Sequence, residues 1–217
     1  MLRIKAGVCN TYARATVPSN APYNCSRQVP LYRRHLSPKK MQTKTDIRQA
    51  IKRLKAACPT TERARLSGNI VQRVIQLDKW QMAHTLLLYH ALPDEVDTSE
   101  LIAQAVQAGK RVLLPVVVGD DLELREYKAA ENLTEGAFHI MEPTGTPFTD
   151  YAVIDLAIVP GVAFTAAGQR LGRGRGYYDR LLCRLPNVYK IGICWPFQLL
   201  DALPAEPHDI VMDAIIC

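Results

Sequence analysis

With 217 residues, 48% of them hydrophobic and 22% charged, the chain has enough apolar content to bury the core of one globular domain. Its apolar runs stop far short of the roughly 20 residues that a membrane-spanning helix needs. The net charge of +6 is unevenly placed: residues 1–40 hold eight Lys or Arg and no acid, which exceeds the whole excess and leaves residues 41–217 at −2, with no overall field to draw nucleic acid.

The leader, residues 1–40, is interrupted by Pro18, Pro22, Pro30 and Pro38 and keeps no helical or strand period. It reads as an organellar targeting presequence, which would be Arg-rich and acid-poor, or as an extension that does not order. The second reading is preferred, with Met41 the working start of a single domain over 41–217. From Thr43 a helical pattern begins: Ile47, Ile51 and Leu54 share one face, and Lys44, Arg48, Lys52 and Lys55 another. Pro59 breaks it. Thr60 or Thr61 can cap a second helix whose apolar stripe is Leu66, Ile70, Val71, Val74, Ile75 and Leu77.

Thr85 to His90 then reads as a buried strand, and Asp97 with Glu100 as a capping-box start of a helix that ends at Gly109. Arg111 to Val118 is a β-branched strand ended by a Gly-Asp turn, and Leu122 to Tyr127 an edge or hairpin strand. Residues 129–150, with Gly136, Pro143, Gly145 and Pro147, read as loop. Asp155 to Pro160, Tyr189 to Cys194 and Ile210 to Ile216 read as strands, and Tyr178 to Leu185 as a helix. This alternation predicts an α/β fold: a three-layer, mainly parallel open sheet with helices on both faces, Rossmann-like in outline. Cys9, Cys25, Cys58, Cys183, Cys194 and Cys217 have no CxxC or other metal-type spacing. They read as reduced thiols of a cytoplasmic protein.

The residues from Gly168 to Asp179, GQRLGRGRGYYD, carry the chemistry. Glycines let a backbone approach an anion closely, and forked arginines fit phosphate or carboxylate oxygens in pairs. The run is neither a Walker A loop, because Gly176 is followed by Tyr-Tyr, nor a dinucleotide fingerprint, because it does not follow its strand directly. Alone it reads equally as a phosphate cradle opening a helix or as a solvated basic loop. Lys44 and Arg48, four residues apart on one helix face, are either a second anion contact or a solvated pair. The segment from Tyr89 to Thr98 lies past a strand's carboxyl end, where open α/β sheets place ligands. There Glu95 orients a polar heterocycle or only occupies a loop. His84, His90, His139 and His208 form no metal-ligand spacing.

The run VPGVAFTAAGQRLGRGRGYYDRLL at 159–182 resembles the signature of the 5-formyltetrahydrofolate cyclo-ligases, or methenyltetrahydrofolate synthetases. KTDIR at 44–48, DEVDT at 94–98, IMEP at 140–143, IGICWPFQ at 191–198 and HDIVMD at 208–213 extend the resemblance over residues 44–216. It implies ATP-dependent closure of 5-formyltetrahydrofolate to 5,10-methenyltetrahydrofolate, with release of ADP and phosphate. The formyl oxygen would be phosphorylated first and the carbon then attacked by N10. It implies Mg²⁺, held by Asp179 and Asp209, with His208 beside the ion through its neighbour. ATP would be bound by Lys44, Arg48 and the loop Arg170, Leu171, Gly172, Arg173, Gly174, Arg175, Gly176, Tyr177 and Tyr178.

Within that set Arg175, Lys44 and Tyr178 would be catalytic, and Arg173 and Arg175 the charge clamps. The family often has lysine where Arg175 stands, which keeps the charge and changes the fork. Folate would be met by His90, Glu95, Phe138, Tyr177 and Tyr178, with Glu95 the pterin-orienting acid. His90 falls where the family varies, and Phe138 where some members have tryptophan. Gln198 matches a recurrent glutamine to which the sequence gives no role. The expected partners are small molecules only, with no nucleic acid or membrane, and the expected assembly is a monomer or weak homodimer.

Overall fold

In the strand β1 (Thr85–Leu87) every side chain is buried. Its alternating residues face opposite ways: Leu86, with Leu88 just beyond the strand, joins one apolar cluster, and Leu87 joins another. A strand needed on both faces belongs at the centre of a sheet, and β1 pairs in parallel with β2 (Arg111–Val118) and with β6 (Leu156–Val159). The computed structural model describes residues 43–129, 132–136 and 141–217. The leader over 1–40 and Phe138 lie outside these residues.

The main sheet has six strands in the order β11-β9-β6-β1-β2-β3, with β9 spanning Tyr189–Ile193, β11 Ala214–Ile216 and β3 Asp121–Tyr127. All neighbours are parallel except β3, an antiparallel edge strand on β2. On one face Leu86, Val112, Ile158 and Ile191 meet α1 (Lys44–Ala57), α2 (Thr60–Ile75) and α4 (Ser99–Gln107) through Ile47, Ile51, Ile70, Val74 and Leu101. On the other face Leu87, Leu113, Ala157 and Val159 meet α5 (Tyr177–Cys183) through Leu181 and Leu182. The three-layer α/β expectation therefore holds. No helix among the described residues is long and apolar enough to cross a membrane.

Several local expectations are corrected. The capping box forms at Thr43, whose hydroxyl accepts from the Asp46 backbone N–H while Asp46 accepts from that of Thr43, and not at Asp97. α4 has Thr98 as its N-cap with no side-chain cap bond, and Asp97 accepts instead from the Ser99 N–H at 2.9 Å. Pro59, rather than a threonine, is the N-cap of α2. A short helix, α3 (Asp78–Met82), buries Trp80 where no helix was read. The stretch read as loop holds the antiparallel strands β4 (Leu133–Glu135) and β5 (Met141–Pro143). Lys55, on the charged face of α1, is buried.

The last strand is shorter than read because residues 210–213 bond elsewhere. The Met212 N–H donates to the Gly168 carbonyl at 2.8 Å, and the Asp213 carboxylate accepts the Lys190 N–H at 2.7 Å. Gly168 has φ +88°, and a Cβ there would lie 2.2 Å from the Met212 carbonyl oxygen, so this close crossing requires glycine. The crossing fixes a small second sheet, β10-β7-β8 (Leu199–Leu200, Ala163–Thr165 and Arg170–Leu171), beside the carboxyl ends of the main strands. Gln198 finds its role here. Its buried amide donates to the Gly161 and Val162 carbonyls and accepts from the Trp195 N–H, which clamps the turn after β6.

Candidate active site

Parallel strands point their carboxyl ends to one side of the sheet, and an open cavity of about 610 Å³ lies there, within the size of small-molecule sites. Every site residue read from the sequence and described by the structure lines it: Lys44, Arg48, His90, Glu95, the whole run from Arg170 to Asp179, and Asp209. Residues distant in sequence thus converge on one cleft. Its apolar walls come from Leu92, Pro115, Val117, Leu122 and Pro160.

α1 brings its cations to the cleft by helical spacing. The Arg48 Nε donates to the Gly172 carbonyl at 2.9 Å and so pins the start of the glycine-arginine loop. Lys44 Nζ lies 3.0 and 2.9 Å from the two Asp209 oxygens and 3.3 Å from Glu206. Partial burial pulls the Lys44 pKa down, but the carboxylates outweigh it and hold it above its usual range. Asp209 is held below the ordinary carboxylate range: burial opposes this, while Lys44 and the Glu206 backbone N–H prevail.

The loop leaves β8 and enters α5 through Gly176, in a left-handed conformation with φ +69°. Arg170, at its start, is buried. Its Nη2 donates to Asp179 at 2.5 Å, and its guanidinium lies 5.8 Å from the centre of the Tyr178 ring. Asp179 is therefore the counterion of a buried arginine. The Tyr178 hydroxyl is pushed far above its usual pKa, first by burial and then by the Glu95 carboxylate, with Arg170 opposing, so it stays protonated. The Tyr177 hydroxyl donates to the Gly119 carbonyl at 3.2 Å, and the Arg180 guanidinium lies over its ring.

Arg173 reaches across the cleft. Its Nε and Nη2 donate to Glu95 Oε1 at 3.1 and 2.9 Å, and Nη2 also donates to Asp94 at 2.6 Å. Its burial lowers its pKa, yet the two carboxylates raise it beyond its usual value. Behind them Lys55 Nζ donates to the Asp94 carbonyl and lies 3.2 Å from its carboxylate. Burial lowers the Lys55 pKa and Asp94 only partly restores it. Trp195, whose indole N–H donates to Ser67, packs under Lys55 and Arg63.

Asp94, Lys55 and Glu206 also belong to the site, and no motif in the sequence singles them out. Asp94 stands in the DEVDT run itself, and Glu206 three residues before Asp209, so each had a neighbour already singled out. Glu206, His208 and Asp209 place ligand atoms within 4.8 Å of one another, and Asp179 is outside this group. Their carboxylate oxygens suit a hard divalent cation, which takes few carboxylates and completes its shell with phosphate and water. Lys44 sits on the Asp209 oxygens, so a divalent cation there would have to compete with it. Diverting Asp179 to a metal would strip the buried Arg170 of its counterion, at a cost of several kcal/mol.

Residues 40–217 match the model of the 5-formyltetrahydrofolate cyclo-ligase family. The chain is 33% identical over 168 residues to a Schizosaccharomyces pombe protein named probable 5-formyltetrahydrofolate cyclo-ligase, covering 69% of this chain and 82% of that one. It is 36% identical over 143 residues to the 5-formyltetrahydrofolate cyclo-ligase of Escherichia coli K12, covering 62% and 78%. Among solved structures, the Aquifex aeolicus 5,10-methenyltetrahydrofolate synthetase superposes with a TM-score of 0.72 at 33% identity, covering 80% of this chain and 88% of that one.

Proposed function

The chain belongs to the 5-formyltetrahydrofolate cyclo-ligase family, and from that premise we propose that its cleft joins an ATP site to a folate site for one ring closure. The reaction converts 5-formyltetrahydrofolate to 5,10-methenyltetrahydrofolate. The observation that carries the two-substrate reading is the convergence of Lys44, Arg48 and the loop Arg170–Tyr178 with the Glu95 turn around a single cavity. Lys44, Arg48 and the loop offer cations and a glycine-lined backbone; the Glu95 turn offers a carboxylate, and apolar walls line the same cavity.

The formyl oxygen is a poor leaving group. Transfer of the ATP γ-phosphoryl to it releases ADP and leaves an electron-poor carbon on N5. N10 attacks that carbon, the N10 proton passes to solvent or phosphate, and the C–O bond breaks as phosphate departs. Such transfer needs positioning and charge neutralisation more than covalent help from the protein. Lys44 and Arg175 supply the positive charge at the phosphates, with Arg48 holding the loop backbone in place. Tyr178, protonated, is the donor at the seam between the substrates. Tyr177 and His90, which both line the cavity, wall the folate side. Glu95 accepts from the pterin's N–H groups. Mg²⁺ fits the oxygens of Asp209 and Glu206, where it would neutralise phosphate charge, and Asp179 serves Arg170.

Cys58 and Cys183 are free thiols, which supports a reducing, cytoplasmic setting that cell fractionation would check. The assembly is proposed as a monomer or weak homodimer, which sedimentation would check. The test of function is spectroscopic. Purified full-length chain with 5-formyltetrahydrofolate, ATP and Mg²⁺ is expected to build up methenyl-folate absorbance, and its failure to do so at saturating substrates would sink the reading.

A further inference from the structure

Glu95 is fully engaged by the protein itself. Oε1 takes two bonds from Arg173 and Oε2 takes the Leu92 N–H at 3.1 Å. A pterin that donates to both Glu95 oxygens must therefore contend with Arg173 for Oε1. The contest is mild, because each partner has a second anchorage. Asp94 keeps Lys55 when Arg173 leaves, so the turn retains a countercharge. The loop keeps its Arg48 bond at Gly172, so it does not lose its seat. Arg173 is flanked by Gly172 and Gly174, the latter at φ +107°, which lets the backbone re-aim the side chain. Arg173 keeps 46% of its side chain exposed while Glu95 keeps 10%, so the arginine has solvent to swing through and the acid needs a replacement donor when it leaves.

We propose that Arg173 is the residue that couples the two substrates: the N–H groups of 5-formyltetrahydrofolate take over Glu95, and the released guanidinium turns to the phosphates of ATP. The inference rests on the two-substrate reading above. In the free chain Arg173 masks the folate acid and is withheld from the nucleotide. Either substrate therefore removes an obstacle for the other. Folate frees the arginine, and a polyphosphate that captures the arginine unmasks Glu95. Linkage requires the effect to be equal in both directions. The side chain has one place to be in the empty cleft and another in the filled one, and the forked guanidinium suits both a carboxylate and a phosphate.

Calorimetric titration of the full-length chain with a non-hydrolysable ATP analogue and Mg²⁺, with and without saturating 5-formyltetrahydrofolate, tests this. In the unmodified chain each ligand is expected to tighten the other about tenfold, within the usual span of such couplings. In Arg173→Met that factor falls to one. Folate alone then binds as tightly as before or more tightly, because its competitor is gone. Weakening of the analogue alone by tenfold or more, with coupling intact, would make Arg173 an ordinary phosphate clamp and overturn the proposal. Weakening of both ligands together with a lowered melting temperature would make it structural and overturn it too. If the unmodified chain binds both ligands without mutual effect, coupling fails while the two-substrate reading stands. If it binds neither, both fail.

Discussion

Lys44 and Lys55 stand at opposite ends of α1, and each pairs with an aspartate far away in sequence, Asp209 and Asp94. The pairs look equivalent on paper and are physically opposite. The Lys44 side chain keeps 18% of its surface exposed and the carboxylates win, raising its pKa; Lys55 keeps 7% and burial wins, lowering it. A lysine at a cleft mouth can exchange one anion for another at little cost. A lysine packed against Trp195 with its Nζ on a backbone carbonyl is part of the scaffold. Burial, not residue type, separates the ligand-binding end of the helix from its anchoring end.

The contrast is sharpest in variants. Lys44→Ala should cut kcat/KM for ATP by about 10²–10³-fold, the scale of losing one charge stabiliser in a transition state. Thermal melting should scarcely move. An unaltered ATP dependence in steady-state kinetics would break the comparison at its ligand end. Lys55→Ala should reverse the pattern, with about 2–3 kcal/mol lost in urea unfolding through a broken buried network. Lys55→Met should cost about 1 kcal/mol or less, since an apolar replacement also removes a desolvated charge.

The pH dependence is a finer discriminator. Lys55 has a folded pKa below its unfolded value of 10.5, so the unfolded chain binds more protons in between. Its share of stability therefore rises with pH across that window. Lys44 has a raised pKa, so its share is fully present below 10.5 and is lost as pH climbs through the folded value. Chemical unfolding of the unmodified chain against each Met variant at rising alkaline pH should give differences of opposite slope. Matching slopes would mean the two environments are alike. The smallest effect on folding is expected at Arg175, exposed on the loop: Arg175→Ala should stay within about 0.5 kcal/mol of stability while losing most of its rate with ATP.

Long periodic segments were legible in the chain alone. The stripe Ile47, Ile51, Leu54 and the strand from Arg111 carry clear periods, and both stand where read. α3, with five residues, is shorter than two helical turns, and β4 and β5 have three residues each, too few for alternation to register. The site residues were legible through a family resemblance, since neither spacing nor charge pattern decides between a cradle and a solvated loop. What no pattern discloses is pairing across the fold. Asp179 becomes the partner of Arg170 only because β8 turns its start inward, and Arg173 meets Glu95 only because two separate loops close over the same strand ends.

The central claim is that the cations and the carboxylate of one cleft serve a single reaction. Parallel measurement of ADP and methenyl product from the full-length chain tests it most directly. Equal amounts of the two are expected at every time point, and neither product when ATP or 5-formyltetrahydrofolate is left out. Methenyl product formed without ATP, or ADP released at the same rate without folate, would contradict it.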